Sequence, residues 1–155
     1  LLFRQFRVGD FIDAPGGYSG TVADISIFYT TLTTVDNKKI VLPNGTLSNG
    51  VVVNYNAQQT RRVDLDFAAA YSSDTALVCR VLLETAQANS LALKDPAPFA
   101  RLTKQEDSAL VFTLRVRCRT QDYWPLYYDL LEQTKRNFDK NGISIPFPQL
   151  DVHTK

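Results

Sequence analysis

Chemistry at neutral pH needs a nucleophile beside a base, carboxylates held at unequal pKa values, or a clustered set of metal ligands. The chain offers poor versions of each. Its one histidine, His153, is third from the end and follows no recognisable partner pattern, so it reads as a solvated or interface side chain. Asp64 and Asp66 alternate along a strand-like segment and Glu106-Asp107 falls in a turn; neither pair has the surroundings that would push two pKa values apart. Gly16, Gly17 and Gly20 make a glycine-rich loop, but a strand follows it, so the helix N-terminus of a phosphate cradle is missing. Cys79 and Cys118 are too few for a disulfide framework or a zinc site. Tyr123-Trp124 with Tyr127-Tyr128 has the makings of a stacking platform, yet aromatics opening an amphipathic helix read first as core and subunit contact. No catalytic residue, metal site or cofactor is expected, and the chain does not read as an enzyme.

Composition narrows the class further. Of 155 residues, 45% are hydrophobic and 21% charged, ordinary globular usage that predicts a packed core in one domain or two small ones. A formal net charge of +1 gives no broad attraction to DNA or acidic membranes. There is no methionine, and the opening Leu1-Leu2-Phe3-Arg4 predicts that something upstream has been removed or left out. Two leucines and two phenylalanines interleaved with Arg4 and Arg7 fit either the inner end of a membrane helix, with arginines on the positive-inside flank, or a plain amphipathic lead-in. Both thiols fall in buried-looking patterns, which fits a reducing compartment.

The elements that must position these residues follow two grammars. Up to about Asn56 the pattern is all β. A short strand is expected over 8–13, a turn at Ala14-Pro15-Gly16-Gly17, and a Thr/Ile/Val/Phe/Tyr-rich stretch over 20–35 too long for one ordinary strand. That stretch predicts a sharp bend or two strands sharing a corner. Asp36-Asn37-Lys38 makes a hairpin tip, residues 39–42 return, Pro43-Asn44-Gly45 turns again, and residues 51–55 close the set. Short strands with a turn every ten residues or so indicate a small barrel.

Past a polar junction at Ala57-Gln58-Gln59-Thr60, strands and helices alternate. Residues 62–69 put Val63, Leu65, Phe67 and Ala69 on one face and Asp64 and Asp66 on the other. Ser72-Ser73-Asp74 offers N-caps for a helix over 75–88, whose stripe is Leu77, Val78, Val81, Leu82 and Leu83 with Cys79 beside it. Strands are expected over 97–103 and 109–119; in the latter Leu110, Phe112, Leu114, Val116 and Cys118 alternate with Val111, Thr113, Arg115, Arg117 and Arg119. A second helix has Pro125 in its first turn, a buried face of Leu126, Leu130, Leu131, Thr134 and Phe138, and Gly142 as its stop. A last, proline-guarded edge strand is expected over 143–148. The order βαββαβ is the ferredoxin-like split unit, in which the first and third strands are neighbours, so that Asp64 and Asp66 could meet Arg115 and Arg117.

Several runs carry a resemblance beyond their physics. Phe6-Arg7-Val8-Gly9-Asp10-Phe11-Ile12, Gly20-Thr21-Val22, Thr30-Thr31-Leu32-Thr33-Thr34 and Val41-Leu42-Pro43-Asn44-Gly45 resemble the small-conductance mechanosensitive channel family of bacteria. So do Asn54-Tyr55 followed by Arg61-Arg62, Ala70-Tyr71-Ser72-Ser73-Asp74, and the ending Phe138-Asp139 with residues 142–149. The likeness covers nearly the whole chain in order, without membrane helices.

The resemblance implies the end of a pore-lining helix at 1–7, an Sm-like five-stranded β-barrel at 8–57, a ferredoxin-like α/β domain at 58–149 and a C-terminal barrel strand at 150–155. It implies a homoheptameric cage on the cytoplasmic side of the inner membrane, below a pore that opens under tension to release ions and small solutes in hypo-osmotic shock. The partners are then further copies of the chain, the membrane through upstream helices, and permeating ions, with no nucleic acid. Portal-lining residues are expected at the junction: Asn54, Asn56, Gln58, Arg61 and Arg62. Because Gln58 and Gln59 are neutral where relatives often carry charge, a weak ion preference is expected. Two rivals remain, an RNA-binding Sm-like module, for which Lys38-Lys39 is a meagre basic patch, and a small-molecule sensor.

Overall fold

The computed structural model describes residues 5–148 and 150. The chain divides after Gln59 into two units. In the first, strands β1 (Phe11–Ala14), β2 (Tyr18–Ile25), β3 (Tyr29–Thr33), β4 (Lys39–Pro43) and β5 (Val53–Asn54) pair antiparallel in the order β4-β3-β2-β1-β5. The long β-rich stretch is two strands sharing a corner at residues 26–28, with a register shift between Val22 and Asp24 that bends β2 before it turns. Phe6, Ile12, Ala14, Val22, Leu32, Leu42 and Leu47 form the core of this unit. Gly20 is required where β2 crosses the end of β3: a Cβ there would lie 2.7 Å from the Thr33 carbonyl oxygen.

Two expectations are corrected in this unit. Pro43-Asn44-Gly45 is not a plain turn but opens a short helix, α1 (Asn44–Asn49), with Pro43 as its N-cap residue at φ −60°. Proline lacks an N–H and is already set near helical φ, so it ends β4 and starts a helix in one step. The opening strand begins at Phe11 and not at Val8, because Arg7 to Asp10 form a turn in which the Asp10 carboxylate accepts the Arg7 N–H at 3.0 Å.

Asp13 adds a pH-sensitive tie to the same sheet. Its carboxylate accepts hydrogen bonds from the Ser19 hydroxyl at 2.6 Å and the Tyr55 hydroxyl at 2.5 Å, and these, Ser19 first, hold its pKa below the ordinary value. A folded pKa below the unfolded one contributes stability above the unfolded pKa, and that contribution disappears as pH falls through the folded value. The melting temperature should therefore fall on acidification below about pH 3.9, and Asp13→Asn should flatten that part of the profile. An unchanged profile in the variant would remove Asp13 as the source.

The second unit contains β6 (Thr60–Ala69), α2 (Thr75–Gln87), β7 (Phe99–Gln105), β8 (Leu110–Arg119), a 3-10 turn (Thr120–Asp122) and α3 (Tyr123–Lys140). The sheet order is β6-β8-β7, so the first and third strands of this unit's former six-element pattern are indeed neighbours. Both helices cover one face, and the period-two residues meet them: Val63, Leu65, Phe112, Leu114, Val116 and Cys118 are buried with Val78, Leu82, Leu126, Leu130 and Phe138. Cys118 is a core thiol, its pKa raised by burial. Asp74 caps α2, its carboxylate accepting the Ala76 N–H at 3.0 Å. Helix α3 ends in a Schellman arrangement: Gly142 at φ +67° lets the Ile143 N–H return to the Phe138 carbonyl at 2.9 Å.

Here too the structure corrects particulars. Residues 143–148 are not a strand; a single backbone bond, Ala70 N–H to the Ser144 carbonyl at 3.0 Å, ties them to the end of β6. Pro146 and Pro148 have no N–H to give, so a ladder cannot propagate. The described residues thus show βαββα. Leu131 is not on the buried face of α3 but 37% exposed. Residues 1–4 and 151–155, with His153 and the expected terminal strand, lie outside the described residues.

Candidate functional site

The junction residues expected to line portals belong to both units. In the first unit Asn54 uses its amide on backbone and carboxylate, donating to the Gln5 carbonyl at 2.8 Å and to Asp10 Oδ2 at 3.0 Å, while its Oδ1 accepts the Asn56 N–H at 2.9 Å. Asn56 Oδ1 in turn accepts the Phe11 N–H at 2.7 Å. Both asparagines therefore tie β5 to the entry of β1. Gln58 is exposed.

In the second unit Arg61 and Arg62 are adjacent on β6 and so project to opposite faces. Arg61 sits with its guanidinium 3.7 Å from the centroid of the Tyr123 ring, beside the aromatic group at the start of α3. There Tyr123, Trp124, Tyr127 and Tyr128 contact one another edge-on or stacked. Arg62 faces the uncovered side of the sheet, where its Nε and Nη2 clamp both oxygens of Asp64 at 2.6 and 2.8 Å.

Among the described residues neither of the expected Asp–Arg pairings across that sheet is made. Register places Asp64 opposite Arg115, yet Asp64 bonds Arg62 on its own strand. Asp66 lies opposite Thr113, not an arginine, and accepts its hydroxyl at 2.7 Å; Thr103 Oγ1 lies 2.7 Å from Thr113 Oγ1, extending the chain of hydroxyls to β7. Glu106-Asp107 caps the β7–β8 hairpin, with the Tyr71 hydroxyl donating to the Glu106 carbonyl. Among the described residues no group of three metal-ligating side chains converges.

The residue that sequence reasoning missed is Asn44. It is buried at the corner between β2 and β3, where its Nδ2 donates to the carbonyls of Ser26 and Ile27 at 2.8 and 3.0 Å and its Oδ1 accepts the hydroxyl of the buried Thr30 at 2.7 Å. Its own N–H reaches the Phe28 carbonyl at 2.8 Å. The only signal was Pro-Asn-Gly, which reads as turn chemistry anywhere.

An antiparallel five-stranded unit followed by a three-stranded sheet backed by two helices, with polar side chains engaged on their own backbone, defines a mixed sheet-and-helix structural module. The comparisons make this specific. Residues 1–57 match the family description "Mechanosensitive ion channel, beta-domain" and residues 63–145 match "Mechanosensitive ion channel MscS, C-terminal". The chain belongs to the MscS family of mechanosensitive ion channels, which is not a family of enzymes. It is 44% identical over 153 residues to a small-conductance mechanosensitive channel of Edwardsiella ictaluri, covering 99% of this chain and 53% of that protein. The chain spans about half the length of the curated relatives it matches. The closed-state crystal structure of Helicobacter pylori MscS superposes with a TM-score of 0.91 at 31% identity, over 98% of this chain and 60% of that one. Arabidopsis thaliana MSL1, at 21% identity and a TM-score of 0.76 over 94% of this chain and 54% of that one, shares the fold. Among the described residues no helix is long and apolar enough to cross a membrane.

Proposed function

We propose that this chain is the cytoplasmic cage of a homoheptameric channel in the bacterial inner membrane, opened by tension to release ions and small solutes in hypo-osmotic shock. The observation that carries the reading is co-linearity: both family regions occur in order across residues 1–57 and 63–145, and one superposition with an MscS structure spans 98% of the chain. In this reading the first unit is an Sm-like barrel and the second a ferredoxin-like domain. Asn54, Asn56, Gln58, Arg61 and Arg62 line the portals between subunits.

Two physical features support a ring. Strands β4 and β5 end the first sheet, and each has an edge without a strand partner among the described residues, which a neighbouring copy would satisfy. The aromatic group opening α3 leaves Trp124 and Tyr128 more than half exposed, the residue types that interfaces favour. Tension then acts by favouring the wider of two states.

Light scattering on this chain should give seven times 17.4 kDa, about 122 kDa, and patch recordings of the full-length protein should show tension-gated current with weak ion preference. A full-length protein that conducts nothing under tension would overturn the function. A stable dimer or trimer would overturn the heptamer, and strong anion or cation selectivity would overturn the neutral portal.

A further inference from the structure

The uncovered face of the second unit's sheet is unbalanced in charge. Register sets Arg62 of β6 directly opposite Arg117 of β8, and Arg115 opposite both Asp64 and Phe99. Like charges facing each other across strands destabilise a sheet, and the carboxylates on this face do not answer all of them. Asp64 is clamped by Arg62, and Asp66 is held by the Thr113 hydroxyl. Among the described residues neither Arg115 nor Arg117 has a carboxylate within ion-pair distance. The Arg115 Nε is buried and has no hydrogen-bond partner. Its guanidinium lies 4.9 Å from the centroid of the Phe99 ring. Arg62, Arg115 and Arg117 join Pro96, Ala97 and Phe99 around a cleft of about 250 Å³.

We infer that this cleft is a binding site for a small oxyanion carrying two negative charges, of the phosphate or dicarboxylate class. Two guanidinium groups with no carboxylate within ion-pair distance can share one dianion between them, and a buried N–H without an acceptor carries its desolvation cost until one arrives. The planar guanidinium fork matches a pair of oxygens, as a single ammonium does not. Seating Arg115 against an aromatic face orders it in advance, so less conformational freedom is lost when the anion binds. The apolar wall of Pro96, Ala97 and Phe99 lowers the local dielectric and strengthens the charge–charge attraction. All of these residues belong to the second unit, so the site does not depend on the channel reading.

The test is calorimetric titration of this chain with inorganic phosphate and, separately, with succinate, against chloride at matched ionic strength. Saturable binding of at least one dianion is expected, and the stronger of the two names the class. Arg115→Gln should weaken it about tenfold to a hundredfold, the value of hydrogen bonds to a charged group. Arg117→Gln should weaken it too and guards against misfolding of the first variant, while Arg136→Gln on the far side, on α3, should leave it unchanged. Heat no larger than that of chloride, or the parent's affinity kept in both cleft variants, would overturn the site. Neither result bears on tension-gated current, so this inference and the channel reading fail separately.

Discussion

Asn44→Ala is expected to destabilise the first unit by about 2–4 kcal/mol, well beyond the loss of one ordinary hydrogen bond. Three side-chain bonds disappear together, but their costs differ. The Ser26 and Ile27 carbonyls sit at an exposed corner and can turn to water, whereas the Thr30 hydroxyl is 0% exposed and is left without its acceptor. A buried polar group stripped of its partner bears the full desolvation penalty. Thr30→Val removes the orphan, so the double variant should be less impaired than the sum of the singles. Denaturant melts of the four proteins measure this coupling directly. Additive effects, or an Asn44→Ala protein within about 0.5 kcal/mol of the parent, would mean that the corner is held by its backbone bonds alone.

The second large effect falls in the other unit. Phe112 is 0% exposed on the central strand, where register sets it between Phe67 and Leu102. Phe67 in turn meets Phe138 of α3 edge-on, with centroids 6.0 Å apart. Removing the Phe112 ring takes away buried area and leaves a cavity that a strand hydrogen-bonded on both sides cannot close. Phe112→Ala should cost about 3–5 kcal/mol. Phe99→Ala, on the uncovered face of the same sheet and 38% exposed, should cost far less, since its ring is already partly in water. Equal urea midpoints for the two variants would contradict the placement of the core.

The contrast between these residues also explains what the sequence reveals. Phe112 is legible because a strand writes its two faces at period two, and residues 110–119 keep an apolar residue at every second position, although Val111 and Thr113 on the other face are buried as well. The same holds for residues 62–69, and the α2 stripe is broad enough to survive the intermediate exposure of Leu77 and Leu83. Asn44 is illegible because its role depends on groups 14 to 18 residues away converging at one corner. Helix α1 has one buried apolar residue, Leu47, and a single residue has no period. Residues 143–148 looked like a strand by composition, but two prolines remove the donors a ladder needs.

Candidate-site residues divide in the same way. The facing of Arg62 and Arg117 follows from register once β6 and β8 are known to pair, but the choice of Asp64 for Arg62 over Arg115 is a matter of side-chain reach, which spacing does not encode. The positions of Asn54 and Asn56 at the junction were readable, whereas their bonds to Gln5, Asp10 and Phe11 were not. The family itself was legible because its motifs are numerous and ordered, so that errors in single elements did not disturb it.

The aromatic group at the head of α3 has one more consequence, which is optical. Trp124 is the only tryptophan of the chain, it is 55% exposed, and three tyrosines lie within contact or energy-transfer reach of its indole. Light absorbed by those phenols drains to a single emitter at one surface spot, and the colour of that emission follows the water around it. The chain thus carries its own fluorescent reporter at that spot, and under the proposed ring, subunit exchange should be traceable there without attaching a dye.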